Sequence, residues 1–185
     1  MPQIWWLIVM LKPTSSNSLG MLTGTKTELF TEDLRQQIDA WVAKYPAGQS
    51  QSAVIPALHI LQDANDGWIS KDIMNALAEY LGMPKIAVYE VATFYSMYEL
   101  SPVGQHKISV CTNISCMLNG SEEIVTHLEQ RLDVKLGETT ADNKFTLKEV
   151  ECLGACCGAP MLQLDRDYHE HLTTDKLDKI LDGIK

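Results

Sequence analysis

All five cysteines of this 185-residue chain fall between Cys111 and Cys157, in two groups: C-T-N-I-S-C at 111–116 and C-L-G-A-C-C at 152–157. That distribution constrains the fold more than any other feature. An odd number of thiols packed into one quarter of the chain does not fit a secreted disulfide framework. Four of them instead form two spaced pairs, C-x4-C and C-x3-C, with 35 residues between Cys116 and Cys152. For such pairs to serve one purpose, the chain must bring two loops together on a single object.

Four thiolates suit either a tetrahedral zinc ion or an iron–sulfur cluster. Structural zinc sites favour tighter C-x2-C turns, often with histidine. A [2Fe–2S] cluster takes two thiolates per iron, so two wider pairs favour the cluster over zinc; a zinc-stabilised interaction module without redox function is the alternative. Gly154 would let backbone N–H groups approach the sulfurs, contacts that tune a cluster's potential. Cys156 and Cys157 are adjacent, and successive side chains point different ways. The spacing favours Cys156 as ligand and Cys157 as bystander. A dithiol redox role would want C-x-x-C, which is absent.

The flanking sequence supplies the frame. From about Thr27 to Leu100 the apolar residues follow helical spacing. Leu34, Ile38, Trp41, Val42 and Tyr45 predict a first helix, capped by Thr31 and ended by Pro46 and Gly48. Val54, Ala57, Leu58, Leu61 and Ala64 predict a second, with Pro56 in its first turn and a stop at Asn65-Asp66-Gly67. Ser70 caps a third carrying Ile73, Leu77, Tyr80 and Leu81, closed by Gly82. Pro84 opens a fourth through Ile86, Val88, Tyr89 and Val91. His59 reads as a packed or exposed structural histidine. Tyr89, Phe94, Tyr95 and Tyr98 read as a partner-binding face or as aromatic core at a domain junction.

After Pro102-Val103-Gly104 the pattern changes to α/β. Strands are expected at His106–Cys111, Lys144–Cys152, Pro160–Leu164 and Tyr168–Leu172. Helices are expected from Glu122 to Leu132, capped by Ser121, and after a Thr174 cap with Leu177, Ile180, Leu181 and Ile184. The expected class is α+β: an extension at 1–26, a helical bundle at 27–100, and at 101–185 a β-α-β-β-α sheet domain compatible with a thioredoxin-like layout.

Composition excludes other classes. Fifteen Lys and Arg against 24 Asp and Glu leave a net charge of −9, which repels a phosphate backbone, so no nucleic-acid partner is expected. The apolar run Ile4–Leu11 spans eight residues, well short of the roughly 20 a spanning helix needs, so no direct membrane insertion is expected. It lacks the basic residues and cleavage site of a signal peptide, and Met21 opens a stretch that would make a natural start. There is no G-x-G-x-x-G, Walker loop, H-E-x-x-H or G-x-S-x-G. No catalytic residue is predicted, and an electron donor would have to come from another subunit.

Taken together, several stretches carry a family resemblance: SAVIPALHILQDANDGWIS at 52–70, VYEVATFYSMY at 88–98, PVG at 102–104, VCTNISC at 110–116, NGSEEI at 119–124, LGETTADNKFTLKEVECLGAC at 136–156 and AP at 159–160. From about residue 28 to 184 the chain resembles the NuoE family, the E subunits of bacterial NADH-quinone oxidoreductase, respiratory complex I. The resemblance implies a helical bundle followed by a thioredoxin-like ferredoxin domain. It implies one [2Fe–2S] cluster held by Cys111, Cys116, Cys152 and Cys156, and an electron-transfer role. The implied partners are the FMN- and NADH-binding F subunit, which alone carries those two cofactors, and the iron–sulfur G subunit. The implied location is cytoplasmic, associated with the inner membrane through the complex, with no NADH oxidation by this chain alone. The same fold serves in flavin-containing formate dehydrogenases and hydrogenases, the alternative parent complexes. Asn143 stands where the family often has Gly, which bears on one turn; Cys157 is an additional thiol, and residues 1–26 match nothing in the family.

Overall fold

The computed structural model describes residues 29–184; the expectations for residues 1–26 lie outside them. Four helices come first: α1 (Glu32–Val42), α2 (Val54–Ala64), α3 (Lys71–Leu81) and α4 (Lys85–Phe94). Local chemistry sets their ends. The Thr31 hydroxyl accepts from the Leu34 N–H and the Ser70 hydroxyl from the Ile73 N–H, each filling one orphan donor of a first turn. Gly82 takes the left-handed conformation that stops α3. Helix α1 ends at Val42, earlier than Tyr45 would suggest, and a short 3₁₀ turn at Ser50–Ala53 leads into α2.

Ile38, Leu58, Leu61, Ile69, Ile73 and Leu77 are completely buried where these helices meet. Full burial of each such side chain contributes about 1.5–3 kcal/mol. Ile86 departs from the expected stripe: it lies in the first turn of α4 and faces out, while Val88 and Ala92 carry that helix's buried side.

The second half contains β1 (His106–Cys111), α5 (Ile114–Leu118), α6 (Ser121–Leu132), β2 (Phe145–Val150), β3 (Leu162–Leu164), β4 (Asp167–His169) and α7 (Thr174–Asp182). The strand order is β2-β1-β3-β4, with β1 parallel to β2 and the other neighbours antiparallel. A second core gathers Ile108, Val110, Leu128, Leu147, Leu162 and Leu177 between the sheet and helices α6 and α7.

Several sequence expectations need adjustment here. The strands after β1 are shorter than predicted, and β2 stops at Val150, so Cys152 lies in a loop. Gly120, not Ser121, is the N-cap of α6: its φ of 92° makes the sharp entry, and Ser121 becomes the buried first helical residue. Thr173, not Thr174, caps α7, because only its hydroxyl is placed to accept from the Lys176 N–H. Asn143 adopts φ 55°, the left-handed turn that asparagine tolerates, so it can stand in a glycine's place.

The halves meet through polar contacts. Glu99 accepts from Lys107 Nζ at 3.0 Å and from Lys148 Nζ at 2.8 Å. Its N–H donates to Gln62 Oε1 at 2.8 Å, and its carbonyl accepts from the Ile69 N–H at 2.7 Å. Gly104 passes so close to β2 that a Cβ would lie 2.9 Å from the Phe145 carbonyl carbon, which accounts for glycine at this crossing.

His59 packs on the Tyr98 ring at 5.1 Å, and burial lowers its pKa from 6.5, outweighing the opposing pull of Asp63. The unfolded chain therefore takes up this proton at a higher pH than the folded one does, so folding stability falls as pH drops below the ordinary histidine value of about 6.5. We expect His59→Gln to flatten that part of the stability–pH profile, measured by denaturant unfolding from neutral pH down to roughly one and a half units below that value; an unchanged slope would contradict the assignment.

Candidate metal centre

The parallel register of β1 and β2 builds the site. Cys111 is opposite Val150 at the last rung, so both strands release their chains at the same end of the sheet. The Thr112 N–H extends the pairing by donating to the Val150 carbonyl at 3.1 Å. The first chain then folds into α5, a single short helix that the sequence pattern did not reveal, because five residues are too few to show periodicity. It turns Cys116 inward beside Cys111; both are buried with Met161, against Leu153, Ala155 and Ala159 of the second loop.

Cys152 and Cys156 are exposed, with sulfurs 3.9 Å apart, and a 3₁₀ turn at Cys156–Gly158 closes their loop. Gly154, at φ 79°, donates its N–H to Cys152 Sγ at 3.4 Å, the type of contact expected of this glycine. Gly158 is fixed by crowding, since a Cβ there would run into the Glu170 side chain. The four predicted cysteines thus lie on two facing loops. Among the described residues, however, no three Cys, His, Asp or Glu side chains close to ion-holding distances.

The electrostatics follow from this layout. The Cys116 thiol is pushed up to about 11, first by burial and then by its hydrogen bond with Cys111, with a backbone hydrogen bond from Met161 pulling the other way. Without a cation nearby, Cys116 keeps its proton; as a metal ligand it would release it. The donor set is thiol only, half buried and half open, with an N–H already aimed at one sulfur. These residues fit an iron–sulfur cluster.

Three further features escaped the sequence pattern. Thr112 Oγ1 donates to Glu149 Oε1 at 2.7 Å, and Asn113 Nδ2 to Glu151 Oε2 at 3.4 Å, tying the first loop to the strand that leads into the second. The Tyr168 hydroxyl donates to the Leu153 carbonyl at 2.7 Å. Only the strand register could have revealed these partners. Of the aromatic cluster, Tyr98 is buried and Tyr89 half-buried, whereas Phe94 is 79% exposed, so it divides between core and surface.

Fold and paired loops define a thioredoxin-like iron–sulfur class of protein, and comparison agrees. The thioredoxin-like [2Fe–2S] ferredoxin family matches residues 38–185. The E subunit of NADH-quinone oxidoreductase from Rickettsia conorii is 45% identical over 163 residues, covering 87% of this chain and 98% of that protein. The mitochondrial NADH dehydrogenase [ubiquinone] flavoprotein 2 of Dictyostelium discoideum is 44% identical over 156 residues, covering 84% of this chain and 63% of that one. The chain belongs to the E-subunit family of NADH-quinone oxidoreductases, within the thioredoxin-like [2Fe–2S] ferredoxins. An NAD+-reducing [NiFe]-hydrogenase in the air-oxidised state aligns with TM-score 0.60 at 19% identity over 71% of this chain. This chain spans 22% of that polypeptide, and the likeness is one of fold alone.

If Cys156 is a ligand and Cys157 is not, Cys156→Ser loses or alters the bound cluster while Cys157→Ser keeps it, because a missing thiolate weakens a metal site far more than a missing bystander. Iron content and visible absorbance of the two variants decide it, and the reverse pattern would sink the assignment.

Proposed function

We propose that this chain is the electron-transfer subunit of the NADH-oxidising part of a complex I-type NADH-quinone oxidoreductase. Its [2Fe–2S] cluster, when bound, supplies one-electron exchange with the FMN of a partner subunit. The proposed ligands are Cys111, Cys116, Cys152 and Cys156. The observation that carries this reading is the shared end of β1 and β2, from which two loops, each bearing a pair of cysteines, leave the sheet.

The chain's own residues would hold and shield the site. Met161, Leu153, Ala155 and Ala159 exclude water from its inner side. Beside the buried pair, α5 turns a group of apolar residues to the surface: Ile114 at 66%, Met117 at 55% and Leu118 at 76% exposure. We read these as the contact with the flavin-bearing F subunit, because apolar side chains beside the ligands keep the gap between redox centres dry and narrow. Exposed Phe94 and Ile86 on α4 would let the helical half, proposed as residues 27–100, share in docking. The iron–sulfur G subunit would complete the module, and association with the inner membrane would come through the complex. Among the described residues no helix is long and apolar enough to cross a membrane.

The identity to the E-subunit relatives favours a respiratory parent complex over a hydrogenase, to which the likeness is one of fold. Purified anaerobically, the chain should hold two irons and two inorganic sulfides, and NADH should not reduce it until the flavoprotein is added. Stoichiometric zinc without visible absorbance would overturn the cluster, and rapid reduction by NADH alone would reveal a donor site in this chain. Leu118→Glu should lower co-purification of the flavoprotein at least about ten-fold, the effect of placing one unpaired charge in an apolar contact. Removing residues 1–26 should leave it unchanged.

A further inference from the structure

The second cysteine loop is held from outside by a residue that is neither ligand nor core. Tyr168 sits on β4, half exposed, and its hydroxyl donates to the carbonyl of Leu153 at 2.7 Å. Leu153 follows Cys152 directly and precedes Gly154, the residue whose N–H points at Cys152 Sγ. One peptide thus offers its oxygen to Tyr168, and the N–H on its other side belongs to Gly154 and points at the sulfur. Fixing the oxygen fixes the plane of the Leu153–Gly154 peptide and hence the direction of that N–H.

Among the described residues no other side chain is seen to grip this carbonyl. Gly154 takes the left-handed conformation, and nothing lies within 4 Å of where a Cβ would stand, so no side-chain packing at this residue fixes the peptide plane. The loop's other end is anchored separately, where the His171 N–H donates to the Gly158 carbonyl at 2.6 Å. On the opposite side, the Thr112–Glu149 pair ties the first loop in the same way.

We propose that Tyr168 is a positioning residue for the metal centre: through the Leu153 carbonyl it orients the Gly154 N–H toward the Cys152 sulfur and keeps the Cys152–Cys156 loop in ligating geometry. This deepens the function proposed above and rests on its ligand set. A peptide N–H aimed at a ligand sulfur stabilises negative charge there, so its loss should show in the electronic signature of the site as well as in its lifetime.

The test uses the full-length chain with Tyr168→Phe, which removes only the hydroxyl from a half-exposed ring, and Tyr168→Ala, which removes the ring. Three readouts are compared with the unaltered protein: the rate of iron loss to a chelator, the visible circular dichroism and paramagnetic spectrum of the reduced site, and the midpoint potential. Tyr168→Phe should lose iron about five-fold faster, as expected of one neutral hydrogen bond. It should also show an altered reduced-state spectrum and a lower midpoint potential. The thermal midpoint of the metal-free protein should stay the same, since a purely structural role would move that and not the spectrum. Tyr168→Phe matching the unaltered protein in all three readouts overturns the positioning role, and if Tyr168→Ala alone is impaired, ring packing rather than the hydroxyl is responsible. Unaltered protein that holds zinc or no metal overturns the ligand set and this inference with it.

Discussion

Parallel pairing of β1 with β2 puts two sequence-distant chain segments at one end of the sheet. An antiparallel partner would have sent the second loop to the other end, about 20 Å away along a six-residue strand at ~3.3 Å per residue. The long crossover that parallel pairing demands is supplied by α5 and α6 together. Parallel pairing therefore accounts for the 35-residue interval between the cysteine pairs, because that interval holds the crossover helix, the turn beyond it and the return strand. It also explains why the loops lie at the carboxyl ends of the strands, the usual binding edge of α/β sheets.

That edge has an inner and an outer side, and the chain treats them differently. Cys111 and Cys116 are buried under Met161, while Cys152 and Cys156 stand open. The inner pair is positioned by regular structure, a strand end and a helix. The outer pair sits on a loop with a left-handed glycine, so it relies on hydrogen bonds from other elements. The exposed apolar face of α5 adjoins the inner pair. A protein partner seated there would approach the site through the helix, leaving the outer loop at the rim.

Much of this was legible in the sequence, and what was not has identifiable causes. The cysteine pairs, the Thr31 and Ser70 caps, Gly82 and β1 were readable because each depends on residues within one turn or one strand. The Ser121 and Thr174 caps were each misplaced by one residue. Two candidate first residues stand side by side there, and only the entry angle of the chain selects between them. Helix α5 was invisible at five residues. Glu149, Glu151 and Tyr168 were missed because their partners come from other strands or loops, and strand register cannot be read from one strand alone. The two halves were visible as a change in period, but their junction at Glu99 was not.

Glu99 shows how the halves communicate without sharing a core. Its backbone is bonded to Gln62 and Ile69 of the helical half, and its carboxylate to Lys107 on β1 and Lys148 on β2. Both lysines belong to the strands whose ends carry the cysteine loops. A tilt of the helical half would load this carboxylate against the same two strands that set the spacing of the thiol pairs. The carboxylate is nearly buried, so its attraction to the ammonium groups is less screened than at an open surface. The same contact also satisfies charges that would otherwise be costly to desolvate. Docking through α4 and docking through α5 would then not be independent, because the strands joined at Glu99 connect the two surfaces mechanically.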